Sequence, residues 1–306
     1  MKAIVGYTGF VGSNIYEKGS FDAAYNSKNI SQAYGTSPDL LVYAGLRAEK
    51  YLANSMPEKD MELIEQAERN IELIAPQKLV LISTIDVFKV PVGVNEETEI
   101  DENGLQAYGL NRARLEQWVR KNYPDALIVR LPGLFGKNIK KNFIYDYIKR
   151  VPAMLKKEKM EELCAIDARL ADYYSLQPNG FYKCRELDDP DTIVLKAVLE
   201  KVHFSALNFT DSRSEYQFYP LSRLWGDISV ALDNDLRLFH PATEPLSAGV
   251  LYEYLTGESF VNEIGVKPAF YDYKTKYSAL FGRDDGYIMG RQEVMQEIKS
   301  FVEAYK

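Results

Sequence analysis

Short apolar runs alternate with amphipathic stretches through the first half of the chain. The runs have the length of single strands, and the stretches between them place apolar residues at helical spacing. The predicted strands cover residues 3–5, 21–25, 40–44, 79–83 and 127–131, and the predicted helices cover 10–18, 59–74 and 110–122. Such alternation implies parallel strands joined by crossover helices. Because the strand near residue 80 is almost continuously apolar, both faces of the sheet should be covered. The predicted fold class is therefore α/β, with a Rossmann-type, doubly wound parallel sheet.

The second half of the chain has a different pattern. Residues 151–201 are rich in Lys, Glu and Asp, and loop signals at 177–180 and 188–191 predict helices with a loop-rich insertion. Further on, short strands are predicted near 207–210 and 236–239, and helices near 247–255 and 291–305. We therefore expect a first domain over residues 1–150 and a smaller C-terminal lobe over 151–306, interleaved with the sheet.

The first predicted strand leads directly into a turn that contains three regularly spaced glycines. Glycine permits backbone angles that a side chain forbids, so the chain can reverse sharply there. Without Cβ atoms, a pyrophosphate can reach the amides that open the following helix, whose partial positive charge favours an anion. The spacing predicts a dinucleotide site formed by Gly6, Thr8, Gly9, Phe10, Val11 and Gly12. The alternative is a tight strand-to-helix turn that binds nothing.

Composition and charge narrow the class of protein. The chain has 306 residues, 46% hydrophobic and 26% charged, as in an ordinary globular protein. A net charge of -7 argues against general binding of nucleic acid, which requires a basic face. Residues 1–9 lack the features of a signal peptide and no run of about 18 apolar residues occurs, so we expect no membrane span.

The cysteines and histidines give no sign of a metal centre. Cys164 and Cys184 form no CxxC pair, which makes a disulfide framework or a zinc site improbable and favours a reducing, cytoplasmic setting. His203 and His240 have no carboxylate or second histidine at metal-ligand spacing. We expect no metal and a structural role for both histidines.

Candidate chemistry follows the predicted strands, at the edge where open α/β sheets place their ligands. Ser83 and Thr84 come at the end of one strand, and Leu131 and Pro132 at the end of another. Tyr108 and Arg112 are four residues apart, so on a helix both lie on one face. The structural alternatives are a surface Tyr–Arg contact and hydroxyls that only cap a turn.

A tyrosine and a nearby cation can together transfer protons. A phenol has a reference pKa near 10, too high for efficient proton transfer at neutral pH. A cation four residues away would stabilise the phenolate, so we expect Arg112 to lower the pKa of Tyr108. Thr84 could hydrogen-bond the same substrate oxygen, and hydride transfer to or from a nicotinamide would complete the reaction.

The end of the second predicted strand indicates which nicotinamide cofactor is used. NAD enzymes typically place a carboxylate there for the ribose hydroxyls. Residues 24–28 contain no carboxylate, and Ser27 and Lys28 would suit a 2′-phosphate. NADP is therefore favoured over NAD, with an exposed loop lysine and either cofactor as the alternative.

Taken in order, these segments resemble the extended short-chain dehydrogenase/reductase family, which includes NAD-dependent epimerases and dehydratases and the dTDP-4-dehydrorhamnose reductases. The glycine turn resembles the family's GxxGxxG loop, residues 83–88 its STDYVF segment, residues 108–112 its YxxxK helix and residues 130–136 its RPxNVYGP stretch. The resemblance implies catalytic roles for Thr84, Tyr108 and Arg112. It also implies cofactor contacts at Ala44, Gly45, Ser83, Leu131 and Pro132, and a homodimer formed through the Tyr108 helix and its neighbour.

The departures from the family leave two functions open. Arg112 stands where the family has lysine, the family's helix asparagine has no clear counterpart in 58–70, and the arginine that the family offers to a substrate diphosphate is missing near Tyr216. Arg47, Arg213, Arg223 or the run 137–142 could replace that arginine. The chain is then either an NAD(P)-dependent epimerase, dehydratase or keto-reductase of a sugar or nucleotide-sugar, or an inactive NADP(H)-binding sensor of the same fold.

Overall fold

The computed structural model describes residues 1–265 and 267–305 and divides the chain into two units. The first unit comprises Met1–Ile139, Glu215–Leu246 and Phe270–Ile298. The second comprises Lys140–Ser214, Ser247–Ala269 and the residues from Lys299 onward. The predicted domain boundary at residue 150 stays a prediction.

The helices and strands follow one another in the order below. Up to residue 135 the elements are β1 (Lys2–Val5), α1 (Phe10–Lys18), β2 (Ala23–Tyr25), β3 (Leu40–Tyr43), α2 (Lys50–Ser55), α3 (Pro57–Ile74), β4 (Lys78–Thr84), α4 (Ala107–Asn122), β5 (Leu127–Leu131) and β6 (Gly133–Phe135). They continue with α5 (Phe143–Lys149), β7 (Met154–Lys156), α6 (Lys157–Ile166), β8 (Tyr174–Leu176), β9 (Phe181–Cys184) and α7 (Asp189–Lys201). The last are β10 (Glu215–Tyr216), β11 (Phe218–Pro220), α8 (Leu224–Asp233), β12 (Leu238–Phe239), β13 (Leu246–Ser247), α9 (Ala248–Thr256) and α10 (Arg291–Ala304).

The first unit is built on a six-stranded sheet with the order β12-β5-β4-β3-β1-β2, in which every neighbouring pair is parallel. Helices α3 and α4 cover one face through a core that includes Ile71 and Leu115. Alternate strand residues such as Val42 and Val80 are fully buried on the other face, where α1 packs beside α8. Each such side chain contributes about 1.5–3 kcal/mol on burial. The predicted doubly wound parallel sheet is confirmed.

Several predicted elements need correction. Helix α4 begins at Ala107 instead of residue 110, so Tyr108 lies in its first turn. The strand predicted near 207–210 is wrong, because Ala206–Phe209 forms a 3-10 helix that Ser205 caps. The loop signal at 188–191 is a helix start, where the Asp188 carboxylate accepts a hydrogen bond from the Asp191 amide at 2.8 Å.

The second unit has its own small sheet and core. Strands β7, β9 and β8 form an antiparallel sheet in that order, and residues 177–180 make the turn between β8 and β9. Helices α6 and α7 pack on it through Leu163 and Leu195, within one buried cluster. The helices of this region were predicted, but its strands of three or four residues were not.

Within the described residues, no helix combines the length and the apolar character needed to cross a membrane.

Candidate active site

The glycine turn between β1 and α1 depends on two of its glycines for packing alone. Gly6 has a φ of +92°, and a Cβ there would lie 2.4 Å from the carbonyl oxygen of Ala44. A Cβ on Gly12 would lie 2.1 Å from the carbonyl oxygen of Gly6. Since no real Cβ contact is that short, these two positions require glycine whether or not a ligand binds.

Gly9 is different, because the surrounding protein leaves nearly enough room for a side chain at this position. It is exposed, its φ is −80°, and a Cβ would meet only the Gly6 carbonyl oxygen, at 3.3 Å. Gly9 caps α1 without a side-chain hydrogen bond, and the first turn of the helix carries no acidic residue. The amides of Phe10, Val11 and Gly12 open the helix and have no acceptor within it. Because Gly9 has no side chain and these amides have no acceptor within the helix, a phosphate group that approaches from solvent can bind them.

The end of β2 is polar and carries no carboxylate. Ser27 and Lys28 are exposed, and the Asn26 side chain accepts a hydrogen bond from the Lys28 amide at 2.9 Å. At the end of β3, the Ala44 amide donates to Val5, and a Cβ on Gly45 would lie 3.0 Å from the Val5 side chain. The predicted cofactor contacts at these positions, and at exposed Thr8, stay predictions.

Tyr108 is held at the end of β4 by three elements. Its side chain is 7% exposed, and its hydroxyl lies near the Thr84 hydroxyl. The Asn54 side chain of α2 accepts a hydrogen bond from the Tyr108 amide at 2.9 Å. Beside it, a Cβ on Gly109 would lie 2.1 Å from the carbonyl oxygen of Asp86, so α4 rests directly on the turn that follows β4. Thr84 and Tyr108 thus come together as the sequence predicted.

Arg112 is buried behind Tyr108 and fully engaged. Its guanidinium lies over the Tyr108 ring and donates to the Asp60 carboxylate at 2.5 Å. The same group donates to the carbonyl oxygens of Tyr108 at 3.2 Å and Arg47 at 2.9 Å. Arg112 is 3% exposed and Asp60 is buried as well, with Asn111 also donating to Asp60. Arg112 therefore forms a buried ion pair instead of the surface contact that was the alternative.

The pKa of Tyr108 is raised above its usual value of 10, which contradicts the expected lowering. Burial has the largest effect, because it disfavours the phenolate. Arg112 acts as expected and lowers the pKa, as do the Thr84 hydrogen bond and Lys50, while Asp86 raises it. Desolvation outweighs the cation, so Tyr108 is protonated at neutral pH.

Three side chains that lie near Tyr108 were not identified from the sequence. The Lys50 ammonium lies 2.9 Å from the Asp86 carboxylate, and the Tyr271 hydroxyl lies near the same carboxylate. The Asp86 amide donates to the Thr84 hydroxyl oxygen at 3.2 Å. Lys50 comes from α2, which has too few residues to show a helical period. Asp86 lay inside the 83–88 motif, which was the one available signal.

Ser83 belongs to a buried network instead of an open site. Its hydroxyl donates to Glu116 of α4 at 2.6 Å, and Glu116 forms an ion pair with Arg130 of β5, also at 2.6 Å. Arg130 in turn lies 3.4 Å from the His240 ring, whose pKa burial lowers to about 3. Leu131, beside Arg130, is buried and Pro132 is half-buried. The network ties α4 to β4 and β5, the strands that carry Thr84 and Leu131.

The candidate cations for a substrate diphosphate are mostly paired within the protein. Arg213 forms ion pairs with Asp211 and Glu263. Arg223 pairs with Asp227 and Glu293, and Lys137 lies 2.8 Å from Glu17 in an open groove of about 590 Å³ along α1. That groove is not lined by Tyr108, Thr84 or the three glycines. Arg213, Arg223 and Lys137 are therefore engaged within the protein, and a diphosphate contact by any of the candidates stays a prediction.

The helix asparagine sought in 58–70 is also absent from this centre. Asn70 hydrogen-bonds Tyr34 and Tyr43 instead, whereas Asp60 is the residue of that stretch that contacts Arg112. Among the described residues, no group of three or more His, Cys, Asp or Glu is placed to hold a metal ion, and both cysteines are free.

Comparison with solved structures shows which proteins share the fold of this chain. No family model and no curated protein matches the chain. A dTDP-4-dehydrorhamnose reductase from Bacillus anthracis, solved in complex with NADP, matches with a TM-score of 0.62 at 18% identity over 99% of both chains. The same enzyme from Yersinia enterocolitica gives 0.64 at 13% identity over 99% of both chains. A UDP-glucuronic acid 4-epimerase from Bacillus cereus, solved with NAD, gives 0.60 at 14% over the full length of both chains.

The chain therefore has the fold of the extended short-chain dehydrogenases/reductases, in agreement with the resemblance of its motifs. At these identities the likeness defines the fold, and the chemistry has to be argued from the residues.

Proposed function

We propose that this protein is an NAD(P)-dependent enzyme that acts on a sugar or nucleotide-sugar, with Tyr108 as its acid/base residue. The observation that carries the proposal is the position of Tyr108 in the first turn of α4, which rests on the Asp86 turn beside the Thr84 hydroxyl at the carboxyl end of β4. In the sheet, β3 alone separates β4 from β1, which leads into the bare glycine turn. Similar structures include enzymes named for dTDP- and UDP-linked sugars, which supports this substrate class.

The residues of the chain would divide the chemistry as follows. When bound, the nicotinamide cofactor supplies or accepts the hydride. Tyr108 gives its hydroxyl proton to the substrate oxygen, and Thr84 hydrogen-bonds the same oxygen and orients it. After the transfer Tyr108 is a phenolate, and Arg112, which lies over the face of its ring, stabilises that negative charge. The amides at the start of α1 hold the pyrophosphate.

Among the reactions left open by the sequence, keto-reduction fits best. A reductase begins its cycle with Tyr108 protonated, and burial, which raises the pKa of Tyr108, favours that protonated state at neutral pH. An epimerase or a dehydratase also needs the residue to accept a proton, which burial of Tyr108 disfavours. The end of β2, with exposed Ser27 and Lys28 and no carboxylate, favours NADP over NAD.

The direct test compares Tyr108→Phe with Tyr123→Phe, a control at the far end of the same helix. NADPH oxidation is followed with the keto-sugar dTDP-4-dehydrorhamnose, and NAD(P)+ reduction or epimer formation with UDP-glucuronic acid and UDP-galactose. We expect Tyr108→Phe to lower kcat by roughly 10²- to 10⁴-fold and to leave the Kd for NADPH nearly unchanged. Equal turnover by Tyr108→Phe and the wild type would disprove the assignment. The cofactor that copurifies, identified by absorbance and mass, separates NADP from NAD.

The second candidate, an NADP(H)-binding sensor without turnover, is favoured by one observation. Arg112 is already bound to Asp60 and two backbone carbonyls, so few of its donors remain for a cofactor ribose. A sensor would bind NADPH yet exchange no hydride with any of the three probe sugars. An enzyme would transfer a hydride to or from at least one of the three probe sugars.

We further propose a homodimer formed through α3 and α4, as the resemblance implies. Leu63 and Leu73 on α3 are each 40% exposed, which an interface would cover. Light scattering after size-exclusion chromatography tests this, with Leu63→Glu expected to shift the protein towards the monomer. The cytoplasmic setting stays a prediction that the two free thiols support.

A further inference from the structure

Lys50 occupies a position next to the catalytic pair that the motifs of the chain did not reveal. It begins α2, and Asn54 lies one helical turn further along on the same face. Asn54 accepts the hydrogen bond from the Tyr108 amide, so the helix that carries Lys50 is attached to the first turn of α4. From there the Lys50 ammonium reaches the Asp86 carboxylate at 2.9 Å.

Asp86 brings that ammonium close to the reacting hydroxyls. Its amide donates to the Thr84 hydroxyl oxygen, and its carbonyl oxygen lies against Gly109, the neighbour of Tyr108. The Tyr271 hydroxyl lies near the Asp86 carboxylate, which the Lys50 ion pair orients. The charged groups that act on Tyr108 are Arg112 on its own helix, Asp86 after β4 and Lys50 on α2.

Arg112 and Lys50 are suited to different tasks. Arg112 is buried, is held by Asp60 and does not deprotonate in proteins, so it can stabilise charge but cannot pass on a proton. Lys50 carries three rotatable donors on a flexible stem, and its side chain is 43% exposed, which gives it contact with solvent. Lys50 can therefore exchange protons with solvent, which Arg112 cannot.

We infer that Lys50, oriented by Asp86, is the residue that supports Tyr108 and resupplies its proton, a task that Arg112 cannot perform. This inference rests on the proposed function. In a reduction, the Tyr108 O–H bond breaks as the substrate oxygen gains that proton, while the nicotinamide cofactor supplies the hydride. The phenolate then takes a proton from the Lys50 ammonium, and the neutral amine regains one from solvent.

The first test needs neither cofactor nor substrate. The protein is labelled with ¹³Cζ-tyrosine, the Tyr108 resonance is assigned by its loss in Tyr108→Phe, and its ionised fraction is compared at one alkaline pH at which the fold persists. Lys50→Gln is expected to lower the ionised fraction and Asp86→Asn to raise it, because each removes a charge of opposite sign. Lys121→Gln, at the exposed end of α4, serves as the control. An unchanged fraction in Lys50→Gln would overturn the inference.

The second test follows turnover of NADPH with whichever probe sugar is reduced. Lys50→Gln should lower kcat about tenfold or more with little change in KM, and should shift the alkaline limb of the pH profile. Ethylamine should restore part of the activity of Lys50→Ala but none in Tyr108→Phe. If the wild type turns over no sugar, the proposed function fails while the titration still decides whether Lys50 acts on Tyr108. Full activity of Lys50→Ala without amine would refute the role in proton supply.

Discussion

The guanidinium carbon of Arg112 lies 4.0 Å from the centre of the Tyr108 ring, one helical turn away on the same face of α4. Cation and ring are both buried, so their attraction is screened little by solvent. Because Asp60 balances the charge of Arg112 from α3, the cation can remain in the interior at all. The arginine at this position is therefore integrated into the packing of α3 against α4.

Arg112→Lys should damage the protein instead of restoring the family pattern. A lysine ammonium can keep the ion pair with Asp60, but it cannot also reach the Arg47 carbonyl and lie flat on the Tyr108 ring. We expect kcat/KM with NADPH to fall about tenfold or more and the melting temperature to drop. Arg114→Lys, on the same helix, is the control. A large gain in activity in Arg112→Lys would instead indicate an enzyme in decay.

Gly9→Ala and Gly12→Ala should separate cofactor binding from folding. Gly12→Ala places a Cβ against the Gly6 carbonyl and should lower the free energy of unfolding by about 3 kcal/mol. Gly9→Ala meets only one oxygen at 3.3 Å, so the fold should persist while the affinity for NADPH falls. Denaturant unfolding and fluorescence titration measure the two effects. If Gly9→Ala bound NADPH normally, the turn would have only the structural role.

Lys28→Glu should reverse the cofactor preference. The substitution removes a cation from the end of β2 and supplies the carboxylate that binds ribose hydroxyls in NAD enzymes. A lost charged hydrogen bond costs about 1.5–3 kcal/mol, so the affinity for NADPH should fall roughly tenfold to a hundredfold while that for NADH rises. Lys18→Glu, at the exposed end of α1, controls for net charge. The same NADPH affinity in Lys28→Glu and wild type would place the 2′-phosphate elsewhere.

His240 should make stability depend on pH in a defined window. Its pKa is lowered from 6.5 to about 3 in the folded protein, by burial first and by Arg130 second. Between these two pKa values, His240 is protonated in the unfolded chain but neutral in the folded chain. The free energy of unfolding therefore decreases as the pH falls from 6.5 towards 3, by about 1.4 kcal/mol per pH unit.

Comparison of His240→Gln with the wild type by urea unfolding across that range isolates this contribution. The difference in unfolding free energy should change steadily between pH 6.5 and 3 and level off at the ends. His203 is the other histidine of the chain and is exposed, so His203→Asn is the matched control. A difference that did not vary with pH would show that His240 titrates normally.

The sequence was most informative where a local pattern determines the outcome. Helix α1 has the bounds that its period predicted, and each predicted strand of the first half lies in the parallel sheet. Thr84 and Tyr108 could be paired because both follow known positions relative to β4 and α4. The strand predicted near Leu207 failed because a cap at Ser205 outweighed its apolar residues.

The rest of the site depends on contacts between distant segments, which no local pattern encodes. Asp60 lies 52 positions from Arg112, and nothing in the period of α3 distinguishes its buried carboxylate from exposed ones. The pKa of Tyr108 could not be predicted either. The sequence shows a cation four residues from Tyr108, but it does not show how deeply Tyr108 is buried. Burial has the larger effect on the pKa of Tyr108.

The close approach of Gly109 to the Asp86 carbonyl has a consequence for how this centre tolerates mutation. With no side chain at position 109 between α4 and the turn after β4, direct contact with the Asp86 carbonyl oxygen limits how far Tyr108 can stand from Thr84. Core substitutions that change the volume of Leu115 or Val119 should therefore alter the stability of the protein more than the geometry of its hydroxyl pair. The spacing of the two hydroxyls should therefore tolerate changes in the hydrophobic core, whereas a side chain at position 109 would change it directly.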